Sequence, residues 1–176
     1  MQILPLTSLA RPFLVIQMTL CALLPLPAEA ADVPEAVAAP GETMVARLHA
    51  EGAQIYECKP NASGQLAWQF REPVATLIDG NRTVGRHYAG PGWEIADGSM
   101  VQARASGRAA AATPQDIPLL KLEVTTRRGE GLLSEVTSIQ RLATRGGVAD
   151  GACTSAGELR SVPYAADYVF LKKTNR

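Results

Sequence analysis

At 176 residues, with 47% apolar and 19% charged side chains, the chain has the composition of one globular domain and too little length for two. Its 17 basic and 17 acidic residues cancel, which argues against a general nucleic-acid binder or a membrane-surface protein, since both carry a basic excess. The charge is split: Ala31–Ala103 holds 5 Lys+Arg against 9 Asp+Glu, and Arg104–Arg176 holds 11 against 7. A basic face for an anionic ligand would produce that split; so would two halves of one sheet that neutralise each other locally, the commoner arrangement.

Residues 1–30 read as a secretory signal. Arg11 supplies the positive charge, Phe13–Leu24 the apolar stretch, and Ala28-Glu29-Ala30 a small-x-small cleavage site after Pro25 and Pro27. Gln17 and Thr19 interrupt the stretch, which falls short of the ~20 apolar residues that span a bilayer. Cys21 follows Leu20 rather than a small residue, which argues against a lipid anchor. The expected location is the periplasm or the extracellular space, with no integral membrane segment after processing.

Residues 31–41 are rich in Ala and Pro and read as an exposed lead-in to a single domain over 42–176. Met44–His49 and Gln54–Cys58 read as strands joined by a turn at Glu51-Gly52. Leu66–Phe70, Val74–Ile78, Met100–Arg104, Leu119–Thr126 and Val136–Thr144 read as further strands between Gly/Pro/Asn/Asp turns, with Ala105–Thr113 a solvated loop or one helical turn. The last segment is the clearest: Val162, Tyr164, Ala166, Tyr168 and Phe170 alternate with Pro163, Ala165, Asp167 and Val169, the period of a half-buried strand. The fold class is therefore all-β and mainly antiparallel, a sandwich or barrel of short strands with long loops.

Cleavage after Ala30 leaves Cys58 and Cys153 as an even pair, which in an oxidising compartment reads as one structural disulfide. Two buried thiols or a redox site are the alternatives; no C-x-x-C is present to support the latter.

Several segments in order carry a family resemblance. They are Gly52-Ala53-Gln54-Ile55-Tyr56-Glu57-Cys58, His87-Tyr88-Ala89-Gly90-Pro91-Gly92-Trp93-Glu94 with Asp97-Gly98-Ser99, Ile117-Pro118-Leu119-Leu120, Ile139-Gln140-Arg141 with Gly146-Gly147, and Val162-Pro163-Tyr164. From about Glu51 to Phe170 the chain resembles the bacterial and fungal family called domain of unknown function 3455. The family has no established activity, so the resemblance implies no catalytic residues. Leu119 stands where many members have Trp, and Asp150 where Pro usually follows Gly-Gly-Val-Ala. Some fungal members carry a malate dehydrogenase label, but this chain has no G-x-G-x-x-G and no βαβ pattern to hold a dinucleotide. No cofactor is expected.

His87–Ser99 is the densest cluster of functional residue types. His87, Tyr88, Trp93, Glu94 and Asp97 among glycines suit recognition of a polar ring. The competing reading has Trp93 plugging the core and the glycines forming turns. Arg141 and Arg145 beside Gly146-Gly147 form a weaker candidate anion site. Two histidines without ligand spacing speak against a metal site. The leading expectation is an exported domain that binds a small polar ligand or an envelope component rather than transforming it. The alternatives are an envelope hydrolase that uses the His87–Ser99 loop, although Gly98-Ser99 lacks the G-x-S-x-G elbow, and a structural envelope protein with no small ligand.

Overall fold

A computed structural model describes residues 33–174, together with Gln2. The proposed signal segment, with its cleavage site, lies outside the described residues.

Eight strands follow one another: β1 Glu42–Pro60, β2 Leu66–Asp79, β3 Arg82–Tyr88, β4 Gly92–Ile95, β5 Met100–Ala109, β6 Leu119–Arg128, β7 Ser138–Gly146 and β8 Leu159–Lys173. Each pairs antiparallel with the next, and β8 pairs with β1, so the sheet closes on itself as a barrel. Of the two all-β architectures the sequence admits, the barrel is the one formed. Closure removes the edges of the barrel itself, while the part of β2 from Leu66 to Val74, which runs beyond β3, pairs only with β1 among the described residues. Among the described residues no helix is long and apolar enough to cross a membrane.

Alternation with period two decides which side chains fill the interior. Leu48 and Ala50 of β1 face Tyr168 and Ala166 of β8; Phe170 faces Ile139 of β7, and Ile139 faces Leu122 of β6. Trp93, Tyr168, Phe170, Leu77, Ile139 and Val101 are essentially inaccessible to solvent. Tyr164, Tyr168 and Phe170 are all buried as their period requires, while Asp167 turns outward to Arg47 and His49. Burial raises the Asp167 carboxyl, but the hydrogen bonds and charges of His49 and Arg47 outweigh it and hold it below the usual carboxylate range.

The two barrel ends differ. At one end the β6–β7 segment folds inward, and Leu133 and Val136 join the core with no exposure. The Leu132 amide donates to Asp97 (2.7 Å) and the Leu133 amide to Ser99 Oγ (3.1 Å), fixing this plug to the β4–β5 turn. At the other end β1 and β2 run on past the barrel as a hairpin. A Cys58–Cys153 disulfide, with Cα atoms 5.9 Å apart, ties that hairpin to the β7–β8 loop.

Three local expectations are corrected. Glu51-Gly52 is no turn: β1 continues through it, because Gly52 lies where a Cβ would come 2.1 Å from the Val74 carbonyl oxygen. β2 likewise continues through Pro73, so the strands are longer than turn residues imply. Ala105 to Ala109 extends β5; alanines in this stretch carry no hydropathic alternation to betray a strand. Most of the described lead-in is exposed, with Val37 as the packed exception. A 3-10 turn at Glu35–Val37 crosses β5 to β7, buries Val37 fully and accepts a hydrogen bond from Gln140 Nε2 at the Val37 carbonyl (2.6 Å). Gly107 makes room, since a Cβ there would lie 2.1 Å from the Ala36 carbonyl oxygen. A single buried valine among alanines and prolines leaves no periodic trace.

Candidate functional site

The barrel is not filled to its open end. A cavity of about 380 Å³ remains, at the lower end of the range for small-molecule sites. Its deeper wall is His87 of β3, Trp93 of β4, Leu122 of β6 and Tyr168 of β8; its mouth includes Phe70, the Ala89-Gly90-Pro91 turn and Ala105.

The register brings the wall together. His87 and Trp93 are opposite one another across β3 and β4, so their rings lie on the same face and stack, with centroids 4.4 Å apart and planes 13° apart. Tyr168 completes the cluster, 4.9 Å from the His87 ring and 5.2 Å from the Trp93 ring, edge-on to the latter. His87 Nδ1–H donates to the Gly92 carbonyl (2.8 Å), which leaves Nε2 as an acceptor. Burial lowers the His87 pKa to about 3; the Gly92 hydrogen bond acts upward and the Arg141 charge downward. The imidazole is therefore neutral at physiological pH.

Arg141 is the charged group of the cavity. It shares an inward parity with Ile139 on β7 and sits opposite Leu120 of β6 and Tyr168 of β8. Its Nε and Nη2 both donate to the Pro118 carbonyl, at 3.1 and 2.9 Å. No carboxylate pairs with it among the described residues, whereas Arg47, Arg86, Lys121 and Arg160 each have one. A buried donor on a lining residue, Trp93 Nε1, also lacks a partner among the described residues, and Gln54 Nε2 has only a loose contact with the Tyr164 hydroxyl.

Of the sequence candidates, His87, Trp93 and Arg141 meet in this cavity. The structure does not bring Tyr88, Glu94 and Asp97 to it. Tyr88 and Glu94 have the opposite parity and lie outside, where Arg86 bonds Glu94 at 2.7 Å and stands 5.1 Å over the Tyr88 ring. Asp97 belongs to the β4–β5 turn, where hydrogen bonds from the Leu132 amide and from Ser99 hold its carboxyl below the usual range. Ser99 is fully buried there, donating to Asp97 Oδ1 (2.6 Å), so it forms no nucleophile–base pair with His87. Arg145 is exposed, away from Arg141, and the Gly146 amide already donates to Asp116.

Sequence reasoning passed over Gln54, Leu120 and Tyr168 as site residues. The signal for two of them was present: Leu120 and Tyr168 lie on the apolar face of their strands. What was lacking was the pairing order that places those faces beside His87.

The chain belongs to the family described as Protein of unknown function (DUF3455), whose model matches residues 39–172. No curated protein and no solved structure matches it.

Proposed function

We propose that the chain works, after export, as a small-molecule binding barrel, holding one ligand in the open-ended cavity. The observation that supports this most directly is the cavity itself: a space of about 380 Å³, plugged at the far end by Leu133 and Val136 and walled by a stacked His87–Trp93 pair. A rigid, largely apolar wall with a few fixed polar groups favours binding at low ordering cost. Its lining holds no Ser, Thr, Cys, Lys, Asp or Glu. Burial lowers the His87 pKa to about 3, which makes the imidazole a weak base at neutral pH and favours binding over acid–base turnover. Export rests on the leader read in the sequence and on the Cys58–Cys153 disulfide, a bond of oxidising compartments.

The test has two arms. N-terminal sequencing of material recovered outside the cytoplasm is expected to begin at Ala31; a chain that keeps Phe13–Leu24 would overturn the export reading. For binding, a thermal-shift screen of small envelope-derived and aromatic compounds compares the native protein with Ala105→Trp, which fills the mouth of the cavity. Ligands should stabilise the native protein and not the variant. Equal stabilisation of both would place the site elsewhere.

A further inference from the structure

We propose that the cavity selects a planar aromatic carboxylate, with its carboxylate on Arg141 and its ring against the His87–Trp93 stack. This rests on the binding reading above and names the ligand class.

The charge count comes first. Arg141 is held on the inward face of β7 by two hydrogen bonds to one carbonyl, that of Pro118, so the guanidinium is fixed in place but not neutralised. A carbonyl accepts hydrogen bonds without cancelling charge. A half-buried cation without a counter-ion is costly, and an anionic ligand removes that cost when it binds. The other arginine of the lining, Arg71, stands at the mouth and already meets Glu72 at 3.2 Å and Glu57 at 3.9 Å. The cavity thus offers one uncompensated positive charge, which matches a monoanion better than a phosphate dianion. His87 adds none, being neutral.

The donor–acceptor balance points the same way. Besides Arg141, the lining offers the unpartnered donor Trp93 Nε1 and the weakly held donor Gln54 Nε2, near the Tyr164 hydroxyl, against one free acceptor, His87 Nε2. A ligand rich in acceptors complements them. The Arg141 guanidinium also meets the Tyr168 hydroxyl, but no carboxylate among the described residues, and a carboxylate oxygen is the geometric match for a guanidinium N–H.

The remaining volume determines the rest of the ligand. A lone inorganic anion would satisfy Arg141 and leave a cavity of about 380 Å³ mostly unfilled against apolar and aromatic side chains. Tyr168 is the link between charge and ring: it is the cross-strand partner of Arg141 and touches the His87 ring. A carboxylate bound at Arg141 therefore directs its attached group along Tyr168 toward the inner end of the cavity, where the largely buried His87–Trp93 pair forms the wall. A planar ring buries area there without losing rotamer freedom, which a flexible alkyl chain must lose.

The experiment is calorimetric titration of the exported protein with naphthoate, its neutral isostere naphthamide, the flexible monoanion decanoate, and inorganic phosphate. Naphthoate is expected to bind, with naphthamide about 10- to 100-fold weaker, the range for one charge-assisted hydrogen-bonded contact. Decanoate and phosphate should be weaker than naphthoate. Arg141→Gln should lower naphthoate affinity to that of naphthamide and leave naphthamide unchanged. Because that substitution also removes the donors to Pro118, Ala105→Trp serves as a second variant; it keeps Arg141 and should abolish binding of both naphthyl compounds. Equal affinity for acid and amide, or an Arg141→Gln variant that binds naphthoate normally, overturns the carboxylate assignment and leaves the binding barrel standing. Decanoate or phosphate binding as tightly as naphthoate overturns the aromatic assignment alone. Failure of all four compounds to bind the native protein overturns the assignment and removes support from the binding reading as well.

Discussion

His87 and Trp93 are stacked cross-strand partners whose rings form the deeper wall of the barrel cavity, and burial keeps the imidazole neutral. That has a consequence for acid stability. The native pKa of about 3 lies well below the ordinary value of 6.5, so the unfolded chain takes up a proton that the native state refuses. The native state therefore keeps its full stability above about pH 6.5 and loses it as pH falls toward about 3. Between about pH 7 and 5.5 the loss should be about 1 kcal/mol. Glu42, Asp97, Asp116 and Asp167 all have lowered pKa values, so their contributions are present above the ordinary carboxylate range and disappear only below it. Urea denaturation at the two pH values should show the loss in the native protein, and His87→Gln should remove most of it.

Phe170 has no exposed surface and packs edge-on to Trp93 at 6.3 Å. Phe170→Ala should cost about 3–5 kcal/mol in chemical denaturation. A cost below about 1 kcal/mol would mean that the plugged end of the barrel repacks freely.

That strand was the most legible part of the molecule, and the reason is physical. β8 puts aromatics on one face and small or charged residues on the other, so its period survives in the sequence. β5 hides its period because alanine suits either face, and β1 seemed interrupted because its glycine is there for close backbone approach. The site was half legible for a similar reason. His87 and Trp93 were recognisable as chemistry-bearing residues, but inward or outward orientation depends on register, which separates them from Glu94 by a single residue. Arg141 could be read only together with Arg145 as a weak anion site, because nothing local tells a strand where its barrel interior is.

The close approach at Gly52 gives a sharp test. A Cβ would meet the Val74 carbonyl oxygen at 2.1 Å and the Ala75 Cα at 2.5 Å, both backbone. Gly52→Ala must push β1 and β2 apart and should cost about 3 kcal/mol or more. Gly151→Ala is the control: its φ of 73° is strained for alanine, but no atom lies within 4 Å. It should cost about 1 kcal/mol. A loss at Gly52 no larger than that of the control would show that β1 and β2 part without strain.

The disulfide spans 95 residues of sequence. In the chain-entropy model a loop of that size is worth about 4–5 kcal/mol. Denaturation of the Cys58→Ala/Cys153→Ala double variant should show most of that loss. The bond lies on the overhanging hairpin, outside the packed interior, so whatever native variant remains folded should retain ligand binding in the cavity.

The two barrel ends should respond independently. Asp97 and Ser99 hold the Leu132 and Leu133 amides at the plugged end, while His87, Trp93 and Arg141 line the open one. Asp97→Ala removes the acceptor of three hydrogen bonds, from the Leu132 amide and from the Ser99 amide and hydroxyl, and should cost about 2–3 kcal/mol, about 1 kcal/mol for each. Asp97→Asn should retain the bonds from Ser99 at its Oδ1 and lose the one from Leu132, because an amide nitrogen cannot accept it. Hydrogen exchange should accelerate at Leu132 and Leu133 in both variants and stay native at His87 and Trp93. Naphthoate affinity, if the cavity is the site, should be unchanged by either substitution at equal fraction folded. Weaker binding in Asp97→Ala with native exchange rates at Leu132 would instead mean that the β4–β5 turn contributes to recognition directly, as its polar composition first suggested.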